Sequence, residues 1–97
     1  MTLYENSRTI TGARSGEWAT RAGRGGSSWR LSWLPEAELS GDQARAGVVI
    51  AEILAAPRTL ADPAVWDELG RSARQLNITV PQALSALLYR TQQRRSS

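Results

Sequence analysis

The sequence predicts an α+β fold in which a short N-terminal antiparallel β-hairpin or sheet packs on a three-helix C-terminal bundle. Two observations indicate this class. Apolar and polar residues alternate at 28–34 with the period of a half-buried strand, whereas beyond Pro35 the apolar residues recur with helical spacing. A chain of 97 residues also has the length of one small domain, so we expect residues 1–97 to fold as a single unit.

Residues 1–34 are predicted to be the β or irregular part of this domain. Residues 14–17, Arg-Ser-Gly-Glu, include a Ser-Gly pair that favours a turn, and this turn would close a hairpin. The clearest strand runs from Ser28 to Leu34, and Pro35 is expected to end it. The alternation places three apolar residues on one face of this strand, namely Trp29, Leu31 and Trp33. Five of the eight glycines also fall in this part of the chain, at positions 12, 16, 23, 25 and 26.

The first helix is predicted over residues 41–56, with Ser40 or Asp42 as its N-cap. Apolar residues cover most of its circumference, so we expect a central helix. Gly47 lies inside it, where glycine costs roughly 1 kcal/mol relative to alanine unless another group packs closely there. The polar residues left over would form a narrow stripe: Asp42, Arg45 and Glu52.

The second and third helices are predicted over 63–76 and 80–93, which completes a helical segment at 40–93. Asp62 and Pro63 are typical of a helix start, and Asn77 suits the left-handed residue that ends one. Thr79 and Gln82 form a capping box for the third helix. Its apolar residues are expected to face the core: Val80, Ala83, Leu84, Leu87 and Leu88.

Composition excludes most catalytic chemistry. The chain has 12 arginines and no lysine, histidine or cysteine, so it lacks thiolate and imidazole ligands, a Ser-His pair and a Schiff-base amine. We therefore predict a protein that is not an enzyme, without catalytic residues, cofactor or metal. No apolar run reaches the roughly 18 residues of a membrane span, and no signal peptide is visible, so the expected location is the cytoplasm.

Charge is distributed in three blocks along the chain. The formal charge is +3 over residues 1–35, −5 over residues 36–70 and +5 over residues 71–97, where five arginines and no acidic residue occur. A uniformly cationic surface is therefore not expected, and the basic C-terminal block is the part suited to an acidic partner.

The segment Trp29-Arg30-Leu31-Ser32-Trp33-Leu34-Pro35 resembles a motif of small, largely uncharacterised actinobacterial and actinophage proteins, W-R-x-S-W-L-P followed by an amphipathic helix. The resemblance is good over residues 29–54 and loose over 63–84. It departs at Glu36-Ala37, where the group has a Gly-Arg pair. The resemblance implies a phage or mobile-element accessory protein and carries no activity with it.

The tryptophans lead to the first functional hypothesis. Trp18, Trp29 and Trp33 are most simply core contacts that fasten the strand region to the helices. Alternatively, Trp29 and Trp33 belong to an exposed ridge that binds a protein partner, or to a sheet edge that a partner strand extends, with Arg30 and Arg8 at the rim. In that case the protein is a non-catalytic interaction module for a host protein or for itself, including as a homodimer.

The alternative hypothesis is a small DNA-binding regulator that uses residues 71–95. The spacing of Ala73, Asn77, Ile78 and Ala83 resembles the turn of a helix-turn-helix. Three polar residues would then face the base edges of double-stranded DNA: Thr79, Gln82 and Ser85. Three arginines would contact phosphates: Arg71, Arg74 and Arg90. A ribbon-helix-helix is a further possibility, but Arg58-Thr59-Leu60 is short for its strand.

Overall fold

The computed structural model describes residues 3–22 and 28–96 and shows an α+β fold. Within these residues, five strands precede three helices. The strands are β1 (Leu3–Glu5), β2 (Thr9–Gly12), β3 (Trp18–Ala22), β4 (Ser28–Leu31) and β5 (Leu34–Leu39). The helices are α1 (Gly41–Leu54), α2 (Pro63–Gln75) and α3 (Val80–Ser96), with a 3-10 helix (Pro57–Ala61) between α1 and α2. Gly23, Gly25 and Gly26 lie outside the described residues.

The strands form one antiparallel sheet in the order β1-β2-β3-β4-β5, so each strand pairs with its neighbour in sequence. The predicted hairpin at residues 14–17 is confirmed as the connection between β2 and β3, and the sheet is larger than a hairpin. Gly16 has a φ of +69°, which glycine adopts without steric cost. The Gly12 N–H donates to the Glu17 carbonyl across this turn, at 2.9 Å.

The prediction of a single strand from Ser28 to Leu34 is wrong. A two-residue turn at Ser32-Trp33 divides the segment, and Leu31 of β4 pairs with Leu34 of β5. Pro35 therefore lies inside a strand. It is tolerated because β5 is at the edge of the sheet and its register with β4 is irregular, so no ladder hydrogen bond requires the missing N–H.

The bounds of the three helices were predicted to within three residues at each end, because each capping residue lies close in sequence to the backbone groups that it bonds. Ser40 and Gln43 form a capping box at the start of α1. Asp62 accepts the Ala64 N–H at the start of α2, and Asn77 has a φ of +58° after its end. The helix α1 ends at Leu54 rather than at residue 56, because the 3-10 helix follows it.

The helix α1 is central, as expected, since it packs against the sheet on one side and α2 and α3 on the other. Gly47 allows the closest approach. A Cβ at this position would overlap Leu31 Cδ2, and the Trp33 indole Nε1 donates to the Gly47 carbonyl at 3.1 Å. The close packing that would justify a glycine inside this helix is therefore present.

The predicted solvent-facing stripe of α1 is only partly correct. Asp42 and Arg45 are exposed, and Arg45 forms an ion pair with Glu5 of β1 at 3.1 Å. Glu52 is instead buried, because its carboxylate accepts hydrogen bonds from the turn between β2 and β3. Among the described residues, no helix is both long and apolar enough to cross a membrane.

Candidate protein-interaction surface

Trp33, predicted as part of an exposed binding ridge, lies in the core. Trp33 is 4% exposed, and the only polar atom of its side chain, Nε1, donates a hydrogen bond to the backbone of α1. A residue in this position has no surface to offer a partner, so the interaction role predicted for Trp33 is wrong. The simpler expectation, that this indole fastens the strand region to the helices, is confirmed for Trp33.

Trp29 and Arg30 remain at the surface, but both are held by their own chain. Trp29 is half-buried against the core, and its indole Nε1 would lie 3.4 Å from a Cβ at Gly41, the first residue of α1. Arg30 is exposed, and its Nη1 donates to the Pro35 carbonyl at 2.8 Å. Trp18 is 44% exposed, so the expectation that it is a core residue is wrong. These residues do not form the continuous ridge that the sequence suggested.

Arg90 of α3 forms an ion pair with a buried carboxylate. Its Nε lies 2.9 Å from Oε2 of Glu17, and its Nη1 donates to the Ser32 carbonyl at 2.8 Å. The hydroxyl of Ser32 donates to the same carboxylate at 3.0 Å. A buried carboxylate is expensive to leave unpaired, so Arg90 anchors α3 to the turn regions of the sheet. The prediction that Arg90 contacts phosphate is wrong for this structure, because its guanidinium faces inward.

Glu52 of α1 anchors the same region from the other side. Its Oε1 accepts the backbone N–H groups of Arg14 at 3.0 Å and Ser15 at 2.7 Å. A Cβ on Gly12 would overlap this carboxylate, so the absence of a side chain there leaves room for it. Glu17 and Glu52, the two carboxylates that are buried among the residues whose burial is described, thus fix the turn between β2 and β3.

Next to this turn lies an apolar cleft, which we call the α3 cleft. It has a volume of about 250 Å³ and runs between the end of α1, the 3-10 helix and the middle of α3. Its polar end is formed by Glu17 and Arg90. Its apolar walls include Leu54, Leu60, Leu84 and Leu87.

The rim of the α3 cleft is apolar and exposed. Leu88 is 60% exposed and Tyr89 is 62% exposed, both on α3. Trp66 of α2 is 46% exposed, and its Nε1 donates to the carbonyl of Leu60, a residue of the cleft wall, at 2.7 Å. Of these three exposed residues, Leu88 is the one that lines the cleft, and it continues the apolar wall of the cleft to the surface, as is typical of a surface that another molecule covers.

Sequence reasoning missed this surface because it assigned the apolar residues of α3 to the core. Ala83 is fully buried as predicted, but Leu84 and Leu87 are half-buried and Leu88 is exposed. The available signal was the number of apolar residues. The run Leu84-Ser85-Ala86-Leu87-Leu88-Tyr89 is apolar over more of the helix circumference than one core-facing stripe requires.

The turn between α2 and α3 has the left-handed residue and the capping box that the sequence predicts. The Ile78 N–H donates to the Ala73 carbonyl at 3.1 Å, after the left-handed Asn77. Thr79 and Gln82 form the predicted reciprocal capping bonds, at 2.8 Å and 3.2 Å. The residues predicted to contact DNA, other than Arg90, are all exposed: Arg71, Arg74, Thr79, Gln82 and Ser85. Arg58 and Leu60 lie in the 3-10 helix, so the strand of a ribbon-helix-helix is not formed there.

No family model, curated protein or solved structure matches this chain. In the part of the chain that the structure describes, no three acidic residues come together in a group able to hold a metal ion.

Proposed function

We propose that this protein is a non-catalytic interaction module that binds a protein partner through the α3 cleft and its rim. The observation that carries the proposal is an apolar cleft walled by leucines and continued at the surface by Leu88, which is 60% exposed. Isolated apolar side chains at a surface are ordinary, whereas a contiguous apolar patch beside a concave site marks an interaction surface.

The energetics of the rim support a protein partner. Full burial of a leucine side chain contributes about 1.5–3 kcal/mol, and aromatic residues supply most interface hot spots. Leu88 lines the cleft and is 60% exposed, so a partner seated in the cleft would cover its side chain. The basic block at residues 71–97 would favour an acidic surface on that partner.

The buried carboxylates support the non-catalytic part of the proposal. Glu52 accepts the backbone N–H groups of Arg14 and Ser15, and Glu17 is paired with Arg90 and Ser32. Both groups hold the turn between β2 and β3 in place, which accounts for their burial without any substrate. A general acid or base would instead need a carboxyl group directed at a reacting atom.

The resemblance of residues 29–54 to actinobacterial and actinophage proteins supports an accessory role for a phage or mobile element, acting in the cytoplasm on a host protein or on itself. In this role the motif itself, with Trp29 half-buried and Trp33 in the core, stabilises the domain and the α3 cleft does the binding.

A quantitative pull-down tests the proposal. The baits are the wild-type protein, Leu88→Asp and the matched control Tyr4→Asp, since Tyr4 is 64% exposed on β1. A partner of the α3 cleft should be retained by the wild type and by Tyr4→Asp and lost from Leu88→Asp, because a carboxylate cannot be buried in an apolar contact. Equal retention by all three baits, or no partner at all, would refute the assignment.

Double-stranded DNA binding is the second candidate, supported by the geometry of the turn between α2 and α3. A left-handed residue and a capping box set the crossing of two helices, and Gln82 and Ser85 are exposed on the second of them. Arg71 and Arg74 are exposed on the first. The inward position of Arg90 removes one of the three predicted phosphate contacts, which makes this the weaker proposal.

Fluorescence anisotropy with a labelled duplex at low salt tests the second candidate. Binding should weaken steeply as salt rises, because each phosphate contact releases counterions. The double variant Arg71→Ala/Arg74→Ala should reduce both the affinity and the salt slope, whereas the exposed Arg8→Ala control should not. An anisotropy that stays at the free-DNA value at low salt would rule DNA binding out.

A further inference from the structure

We infer that the outer face of the sheet, the side turned away from α1, binds single-stranded RNA. The residues that strands β1 to β4 contribute to this outer face are Tyr4, Thr9, Thr11, Trp18, Thr20 and Arg30. The α3 cleft is lined by other residues, so the inference goes beyond the proposed function and does not depend on it.

The strand register assigns these residues to one face of the sheet. Glu5 of β1 forms an ion pair with Arg45 of α1, so its neighbour Tyr4 points to the opposite side. Tyr4 pairs with Thr11 and Thr11 pairs with Trp18, which places the three in one row across β1, β2 and β3. A second row lies beside the first and is formed in the same way by Thr9, Thr20 and Arg30.

Exposed aromatic side chains at the two ends of the first row provide surfaces on which bases can stack. Tyr4 is 64% exposed and Trp18 is 44% exposed. Neighbouring strands lie about 4.8 Å apart, so these two residues are about 10 Å apart across β2. Each ring can therefore stack a different base of one strand. The bases of a duplex are already stacked on one another, so the outer face selects a single strand.

The charge of the sheet region favours a polyanion. Residues 1–35 contain five arginines and two glutamates, which gives their formal charge of +3. Both glutamates are held by arginines of the helices, Glu5 by Arg45 of α1 and Glu17 by Arg90 of α3. The acidic groups of this region are thus neutralised on the helix side, and its own arginines are left to set the charge of the sheet surface.

Arginines lie on and around the outer face. Arg30 is exposed on the face itself, and its Nη1 donates to the Pro35 carbonyl at 2.8 Å, which holds the guanidinium beside β5. Arg8 and Arg14 are exposed in the turns at the two ends of β2. Glu38 is exposed on β5 and forms an acidic border on that side. The phosphates of a bound strand are therefore expected over Arg30 and the turns rather than over β5.

The threonines of the outer face favour RNA over DNA. Thr11 lies between Tyr4 and Trp18, and Thr9 and Thr20 lie in the row beside it. All three threonines are half-buried. A threonine hydroxyl both donates and accepts hydrogen bonds, as the ribose 2′-hydroxyl does, and the 2′-hydroxyl is the group that distinguishes RNA from DNA.

Fluorescence anisotropy with a labelled oligouridylate of about 12 nucleotides tests the inference. Binding should weaken as salt rises, because phosphate contacts release counterions. Trp18→Ala should weaken binding by about 5-fold to 150-fold, the range for the loss of one stacked base, and Trp18→Phe should retain most of the affinity because it keeps a ring. Trp66→Ala is the matched control, since Trp66 is 46% exposed on α2, and it should leave the affinity unchanged.

Two further comparisons test the phosphate and sugar contacts. Arg30→Ala should lower both the affinity and the salt slope, whereas Arg71→Ala, exposed on α2, should change neither. An oligodeoxyuridylate of the same length should bind about 2-fold to 10-fold more weakly, since it lacks the 2′-hydroxyl groups that the threonines would contact.

The inference fails if the anisotropy stays at the free-RNA value up to about 0.1 mM protein at low salt, or if binding does not change with salt. Equal losses with Trp18→Ala and Trp66→Ala, or a larger loss with Arg71→Ala than with Arg30→Ala, would place the RNA on another surface and overturn the inference. Equal affinity for the deoxy strand would overturn the assignment to RNA. Circular dichroism checks that each variant is folded, and Arg30→Ala keeps the test decisive if Trp18→Ala does not fold.

Discussion

Replacing Gly47 by alanine tests how closely the sheet packs on α1. In an open helix position this change stabilises, because glycine costs about 1 kcal/mol relative to alanine. At Gly47 the new methyl group would meet three carbons of Leu31: it would overlap Cδ2 and lie 3.0 Å from Cδ1 and 3.1 Å from Cγ. Because Leu31 is fully buried, its side chain has to shift within a packed core to make room for the new methyl group.

The expected result is a net loss of stability. Overpacking of this kind costs about 1–3 kcal/mol against a helix-propensity gain of about 1 kcal/mol, so Gly47→Ala should lower the free energy of unfolding by up to about 2 kcal/mol. In a domain of this size, 1 kcal/mol corresponds to about 4–8 °C in the melting temperature. Thermal unfolding followed by far-ultraviolet circular dichroism can measure a shift of this size.

Gly70→Ala is the matched control, since it is the same change in the middle of another helix. The nearest atom to its new methyl group would be Arg74 Nη2 at 4.0 Å, so nothing opposes the propensity gain. This variant should be more stable than the wild type by about 0.5–1 kcal/mol. If Gly47→Ala raised the melting temperature as Gly70→Ala should, the close packing of Leu31 on α1 would be wrong.

Three further substitutions test the anchors and the turn. Glu52→Ala leaves two part-buried N–H groups without their acceptor and should lower the free energy of unfolding in urea by about 1–3 kcal/mol, whereas Glu38→Ala, exposed on β5, should change it by less than about 0.5 kcal/mol. Arg90→Met strands the buried carboxylate of Glu17 and should cost at least about 2 kcal/mol; an unchanged urea midpoint would show that the ion pair is not needed. Asn77→Ala should lower the free energy of unfolding by about 1–2 kcal/mol because residue 77 has a positive φ, whereas Asn77→Gly should not lower it. Equal effects of the two substitutions on the melting temperature would contradict the left-handed turn.

The helices could be predicted well because their signals are local. The capping residues Ser40, Asp62 and Thr79 lie within three residues of the groups they bond, so the sequence pattern contains the complete interaction. Asn77 could be assigned to a left-handed turn on the same basis.

The sheet could be predicted only in outline, because strand register depends on pairing partners. The alternation from Ser28 to Leu34 is compatible with one long strand and equally with a hairpin that turns at Ser32-Trp33. Pro35 suggested a strand end, but on an edge strand the lack of an N–H has no consequence.

The candidate site could not be predicted, because it depends on contacts between distant residues. Arg90 and Glu17 are separated by 73 positions, and the helix dipole alone gave Arg90 a plausible solvent-exposed role. On a helical wheel, Glu52 lies on the same face as Asp42 and Arg45. In the structure its carboxylate is buried because it accepts a hydrogen bond from the turn between β2 and β3. The sequence shows that α3 has many apolar residues. They indicate a binding surface only once it is known how many of them the core can cover.

Photo-cross-linking inside the producing cell most directly tests the claim that the protein acts through the α3 cleft. A benzophenone amino acid would replace Tyr89, the neighbour of Leu88 on α3, in one variant and Tyr4 on β1 in the other, two positions of nearly equal exposure. A defined adduct at position 89, abolished by Leu88→Asp and absent at position 4, is the predicted result. Adducts of equal yield at both positions, or an adduct at position 4 alone, would contradict the claim.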